Sequence, residues 1–160
     1  MIRSTKTTVR FANASKRRAS DGVLEEYHRV VQALVDIRWE RPHKDVKALL
    51  DKETIALVPT TMSARLVQCA GKQASGVVRG TRAKNERRLW QHAKLVAEGK
   101  HKNARKLWAS ILKYDVGKPK VKDGLPMELD ERFCSIELDV KSREFDGWLR
   151  VGSLGNKLQL

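Results

Sequence analysis

The hydrophobic pattern of this chain changes period once, and that change constrains the fold more than any other feature. From Val23 to Leu112 apolar residues recur at steps of three and four, the spacing that gathers them on one face of a helix. From Cys134 onward they alternate instead: Cys134, Ile136, Leu138 and Val140, then Phe145, Gly147, Leu149 and Val151, the spacing of strands in a hairpin. Ahead of the helical block, Thr5, Thr7, Val9 and Phe11 alternate with Lys6, Thr8, Arg10 and Ala12, a β-branched pattern that suits one further strand. Three or four short strands bury little by themselves. The expected fold class is therefore α+β, with a helical lobe inserted between an N-terminal strand and a C-terminal β meander that the strand joins.

Four stretches follow from this division: 1–18, a strand and basic loop; 19–115, the helical lobe; 116–128, a linker; and 129–160, the later strands. In the loop, Lys16-Arg17-Arg18 forms a short basic cluster. Asp21 can cap a first helix, whose face is Val23, Tyr27, Val30, Leu34 and Ile37, ending near Trp39 with Pro42 beyond. Val46, Leu49 and Leu50 suggest a short helical segment, and Thr54 to Pro59 a loop or extended connection. Leu89, Trp90, Ala93, Val96 and Ala97 mark a helix stopped by Gly99, and Ala104, Leu107, Trp108, Ile111 and Leu112 mark another. Asp115 to Glu128, with two glycines and two prolines among lysines, reads as a linker or exposed loop. Lys157 to Leu160 begins a third strand of the meander, so further sequence is expected beyond it.

Between Pro59 and Ala83 lies the most informative helix. Thr60, Thr61 or Ser63 can cap it, and Leu66, Ala70, Ala74 and Val77 form a thin apolar stripe. Arg65, Gln68, Lys72, Ser75, Arg79 and Arg82 alternate steps of three and four on the other side, a polar and mostly basic line. Gly71 and Gly76 each lower helix propensity by about 1 kcal/mol relative to Ala, which suits a close approach by another backbone. Downstream the cations thicken: Lys84, Arg87, Arg88, Lys94, Lys100, Lys102, Arg105 and Lys106 are opposed by Glu86 and Glu98. The whole chain carries 33 Lys and Arg against 19 Asp and Glu, a formal charge of +14 over 160 residues. Such an excess favours a polyanion, most often nucleic acid, where phosphate neutralisation releases counterions. An anionic membrane surface is the competing target, but no long apolar anchor or strongly apolar amphipathic helix is present.

The search for catalytic chemistry points elsewhere. His28, His43, His92 and His101 lack paired-ligand spacing, and Asp130, Asp139 and Asp146 are read as solvated carboxylates. No glycine-rich nucleotide loop or nucleophile elbow occurs, so neither enzyme activity nor a cofactor is expected of this chain. Cys69 and Cys134 are far apart and fit reduced thiols in the cytoplasm; without a CxxC pair a zinc ribbon is excluded. The N-terminus has no apolar run of the signal-peptide type. Among the tryptophans, Trp90 and Trp108 adjoin apolar helical faces and are expected in the core. Trp148 shares a strand face with Asp146 and Arg150 and is the candidate for base stacking.

Three stretches also carry a resemblance. The chain reads "LVPTTMSARLVQCAGKQASGVVRG" over the basic helix, then "LDERFCSIELDV" and "FDGWLRVGSLGNKLQL" after the lysine-rich spacer. Together with the leading basic strand from Lys6 to Phe11, they resemble the N-terminal half of TnpB-type transposon-encoded RNA-guided nucleases and their type V CRISPR-effector relatives. The resemblance spans nearly the whole chain. It implies a wedge barrel of the oligonucleotide-binding type, here incomplete, interrupted by a helical recognition lobe. It further implies binding of a guide-like RNA and contact with target DNA, where base pairing supplies sequence choice. The carboxylates and zinc-binding cysteines of the family's nuclease domain are not in this chain, so cleavage is not implied; the alternatives left open are a split subunit with a separate nuclease-bearing chain as partner, a truncated gene, or a repurposed RNA/DNA binder.

The residues expected at phosphate are Arg65, Lys72, Arg79 and Arg82, extended by Lys84, Arg87 and Arg88, with Lys6, Arg10 and Trp148 on the barrel face. Two other readings compete. One is a stand-alone DNA-binding regulator with a helix–turn–helix around Gly99 and Lys102, Arg105 and Lys106 on the reading helix. The other is an assembly protein whose basic face docks on an acidic partner.

Overall fold

The computed structural model describes residues 13–42, 46–47, 49–113, 117–121, 124–129, 133–138, 141, 147–152 and 157–159. The strand expected over Thr5–Ala12, with Lys6 and Arg10, lies outside these residues, as do His43, Asp130, Asp139 and Asp146. In chain order the elements are helices α1 (Ala14–Trp39), α2 (Lys52–Ala56), α3 (Ala64–Ala97) and α4 (His101–Lys113), then strands β1 (Cys134–Glu137), β2 (Trp148–Gly152) and β3 (Lys157–Gln159). The described protein is mostly helical. β1 pairs antiparallel with β2, Ile136 opposite Leu149, and β2 with β3, Val151 opposite Leu158. β3 lies beside α1.

α1 starts earlier than Asp21. The Asn13 side chain accepts from the Lys16 amide at 3.0 Å and so caps a helix that already contains Lys16, Arg17 and Arg18. A good cap outweighs the unfavourable meeting of three cations with the positive helix end, and the expected basic loop is a helical turn. The second correction concerns residues 46–56. Val46, Leu49 and Leu50 have helical spacing but are not helical; Val46 and Leu50 are buried from an irregular segment. The short helix follows instead, where Asp51 accepts from the Thr54 amide at 2.6 Å and caps α2.

α3 begins where the sequence places it, with Ser63 as the cap. It then runs unbroken through Gly76 and Gly80 to Ala97, absorbing the helix expected separately around Leu89–Ala97. Two glycines weaken a helix without ending it, and Arg82–Ala97 is rich in good helix formers. The end comes at Gly99, at φ +70°, a conformation that favours glycine. Its amide donates to Val96 and that of Lys100 to Leu95, the paired bonds of a Schellman ending. Thirty-four residues give α3 a length of about 51 Å.

Only the first half of α3 meets the core. Leu66, Val67, Ala70, Ala74 and Val78 are buried there against Tyr27, Val30, Val31, Leu34 and Val35 of α1. Contacts occur in the same order along α1 and along α3 with its approach: Glu26 at Thr60 just before α3, Arg38 at Ser75, and Trp39 at Arg82. The two helices therefore run in the same direction, and residues 40–63 form the return crossover, lending Val46, Leu50, Val58 and Met62 to the core. Gly71 is where this crossover presses closest: a Cβ there would meet the Leu50 side chain.

The stretch expected to be an exposed linker is instead a strap along α1. Val121 donates its amide to Gln32 at 2.7 Å, the Leu125 carbonyl contacts His28 at 2.6 Å, and Gln73 of α3 donates to the Pro126 carbonyl at 2.7 Å. Val121, Leu125, Met127, Leu129 and Phe133 pack against the core. By contrast, Ile136 of β1 and Leu138 just after it are exposed. α4 folds back beside the outer half of α3, with His92 and Trp108 in ring contact at 4.9 Å. These two helices make an arm beyond the core.

Candidate nucleic-acid interface

The basic line on α3 divides by sevens. Gln68, Ser75 and Arg82 turn toward the crossover. The Gln68 amide donates to the Leu50 carbonyl at 3.2 Å and accepts from the Leu50 amide at 3.1 Å. Ser75 is fully buried and takes a hydrogen bond from Arg38. Arg82 donates to the carbonyls of Trp39 and Arg41 at 2.6 and 2.8 Å, with its guanidinium 5.1 Å from the Trp39 ring centroid. Its charge sits at the carbonyl end of α1, where a cation is stabilising.

Arg65, Lys72 and Arg79 are the other three, and all are exposed. Along the same side of the helix follow Ala83, Arg87, Trp90 and Lys94, also exposed. Trp90 is 63% accessible, and the Lys94 ammonium lies 5.5 Å from its ring centroid. The expectation that Trp90 packs in the core is corrected: it belongs to the outward line, four residues before Lys94 and eleven after Arg79. Trp108 is 41% accessible and lies only partly in the α3–α4 contact. Lys84 is exposed, whereas Arg88 is half-buried on the side toward α4. Gly76 and Gly80 look onto open space, with nothing within 4 Å of a built Cβ, so packing within the described chain gives no reason for either.

α4 adds a second basic face. Ala104 and Ile111 are buried toward α3; on the opposite side Lys102, Arg105, Lys106 and Ala109 line a shallow open depression. Over residues 79–113 eleven lysines and arginines meet two glutamates, and Glu98 is already held by Lys94 and Lys100. The arm is thus strongly cationic on surfaces that the fold leaves open. Trp148 occupies the β2 position opposite Glu137, on the sheet and apart in sequence from this arm.

A second cationic locus escaped the sequence reading. At the end of α1, Arg38, Arg41, Lys47, Leu49, Leu50 and Asp51 line a cleft of about 410 Å³. Arg38 is 2% exposed and donates to the carbonyls of Lys47 and Leu49 and to Ser75, while its Nε is buried without a partner among the described residues. Burial, followed by the nearby Arg41 charge, pushes its pKa below the usual arginine value; Asp51 opposes this and Arg79 adds to it. Asp51 is itself engaged by Arg41 at 3.1 Å and by Thr54, and these contacts hold its carboxyl far below the usual range. The signal in the sequence was Arg38 itself, a charged residue between apolar positions Leu34, Val35 and Ile37 of the α1 face.

Among the described residues no cluster of three or more His, Cys, Asp or Glu could hold a metal ion, and no helix is long and apolar enough to cross a membrane. No protein-family model, curated protein or solved structure matches the chain.

Proposed function

We propose that the chain binds nucleic acid through the outward faces of α3 and α4, as the guide-RNA and target-DNA recognition part of a TnpB-like effector. The observation that carries this is the arm: a long helix and its return partner, projecting beyond the core and bearing cations with little acidic compensation. Arg65, Lys72, Arg79, Lys84, Arg87 and Lys94 contact phosphate along α3, and Lys102, Arg105 and Lys106 do so along α4. Trp90 stacks an unpaired base among these cations, since an exposed indole beside phosphate-binding groups suits single-stranded nucleic acid. Gly76 and Gly80 let the sugar–phosphate chain approach the helix closely. Arg82 is left out because its guanidinium is committed to the end of α1. In this reading β1–β3 belong to an oligonucleotide-binding-type barrel that the N-terminal strand joins, the protein works in the cytoplasm, and strand cleavage falls to a nuclease-bearing partner.

A regulator that reads duplex DNA with α4 is less well supported, because α4 lies along α3 with Trp108 on His92 rather than standing away from its neighbour. The test is the salt dependence of RNA binding by the wild type and by a variant with Lys72, Arg79, Arg87 and Lys94 changed to Gln. Each phosphate contact contributes about 0.7–0.9 to the slope of log K against log salt, so the variant slope should be shallower by roughly 3. RNA should also quench tryptophan emission in the wild type and much less in Trp90→Phe. An unchanged slope, or tight binding of duplex DNA with no binding of RNA, would overturn the reading.

A further inference from the structure

We infer that the cleft at the end of α1, bounded by Arg38, Arg41 and Lys47, is a phosphate-binding site separate from the arm. Arg38 is the buried charge at the floor of this cleft. A buried guanidinium without a carboxylate partner is costly, and natural proteins pair such charges or use them. The acceptors Arg38 reaches among the described residues are all neutral: two carbonyls and a hydroxyl. One of its donors, Nε, reaches none. Among the described residues lining the cleft, Arg38, Arg41 and Lys47 meet one acid, Asp51, which is already bound to Arg41.

An anion in the cleft would relieve this imbalance. The opening is large enough for a phosphate group, and its rim offers the exposed Lys47 ammonium beside the Arg41 guanidinium, which Asp51 and Thr54 hold in place, groups that suit phosphate oxygens. Hydrophobic ligands fit less well, since Arg38, Arg41, Lys47 and Asp51 make up most of the lining. The site rests on the nucleic-acid reading for the source of its phosphate, a phosphodiester of the bound strand, but not for its chemistry, which free phosphate shares.

The test compares thermal unfolding in sodium phosphate and in sodium chloride at matched ionic strength, for the wild type, Lys47→Gln and Arg41→Gln. Phosphate also stabilises proteins generally by exclusion from their surface, and that effect is common to all three proteins. A bound anion adds a wild-type excess that grows with the logarithm of concentration. The expected result is an excess of several degrees in the wild type, lost in both variants. Arg41→Gln keeps a donor for Asp51 and Thr54; should it fail to fold, Lys47→Gln decides alone, since that side chain is exposed.

RNA affinity of Lys47→Gln then identifies the source: several-fold weaker binding assigns the site to a phosphodiester, and unchanged binding assigns it to free phosphate. An excess undiminished in the variants, or no excess in the wild type with unchanged RNA affinity in Lys47→Gln, would overturn the site. Arm variants that lose RNA but retain the phosphate excess would show that the two surfaces are independent. A protein that binds no RNA yet keeps a Lys47-dependent phosphate excess would retain this site while the arm reading falls.

Discussion

Arg79 and Arg82 stand three residues apart on one side of α3, and replacing each by Ala should separate a binding residue from a structural one. Arg82 gives two hydrogen bonds to carbonyls at the end of α1 and rests on Trp39. Hydrogen bonds to a charged group contribute about 1.5–3 kcal/mol each, and the cation–π contact about 0.5–1 kcal/mol at a partly exposed site. The two bonds share one nitrogen and the carbonyls regain water on truncation, so the sum is discounted to about 2–4 kcal/mol. For a chain of this size 1 kcal/mol moves Tm by about 2–4 °C, which places the loss at roughly 5–15 °C. Arg79 is exposed, and its removal should change stability by no more than about 0.5 kcal/mol. Urea unfolding followed by far-UV circular dichroism measures both. RNA titration well below Tm gives the complementary result: Arg79→Ala lowers the salt slope by about 0.7–0.9 and Arg82→Ala leaves it unchanged. Equal stability of the two variants, or a salt slope that falls only for Arg82→Ala, would refute the division of the line into inward and outward halves.

Glycine replacements test the same helix from the side of the backbone. Gly71→Ala should destabilise, because its Cβ would collide with Leu50, whose backbone is held on both polar groups by Gln68. Gly76→Ala should stabilise by about 1 kcal/mol while weakening RNA binding; a stability gain with unchanged affinity would remove the close-approach argument. A third prediction concerns acid. The Arg29 hydrogen bond, with help from Thr60 and against the effect of partial burial, holds the Glu26 carboxyl down at about 2, against an ordinary 4.5. A carboxylate depressed on folding stabilises fully above its unfolded value and loses that contribution as pH falls through the folded one. The stability difference between wild type and Glu26→Gln should therefore be constant near neutrality and shrink between about pH 5 and pH 2, measured as urea midpoints; a difference independent of pH would argue against the Arg29–Glu26–Thr60 contact.

How much of the fold the sequence disclosed depended on whether a signal was local. The α3 cap, one of the three candidates Thr60, Thr61 and Ser63, and the stop at Gly99 are each set by a few neighbouring residues and lie where the pattern places them; of the alternation after Cys134, Cys134–Glu137 and Trp148–Gly152 are strands. The failures in the crossover and the strap are nonlocal, whereas the early start of α1 rests on a local cap, Asn13. Val46, Leu49 and Leu50 copy helical spacing because Val46 and Leu50 both reach the core, yet they do so from a crossover whose path is fixed by Gln68 and Arg38, 18 residues from Leu50 and 9 from Lys47 in sequence. The stretch from Val121 to Leu129 has the composition of a loop, and Gln32, His28, Tyr27 and Gln73, in helices formed long before it in the chain, turn it into a strap.

The candidate site shows the same limit more sharply. Period gives the direction in which a side chain leaves a helix, but not what waits there. Arg65, Lys72 and Arg79 differ from Gln68, Ser75 and Arg82 by about 60° around α3, too little for a pattern of threes and fours to separate. The difference is decided by the crossover, which covers one edge of the polar face and leaves the other bare. Where it covers, the polar residues become hydrogen-bond partners for the backbone of Trp39, Arg41, Lys47 and Leu50. Where it does not, the same residue types continue into the arm and meet Trp90. A basic helix face is thus evidence for a ligand only over the part that the protein's own chain leaves uncovered, and on α3 that part runs along Lys72, Arg79, Arg87, Trp90 and Lys94.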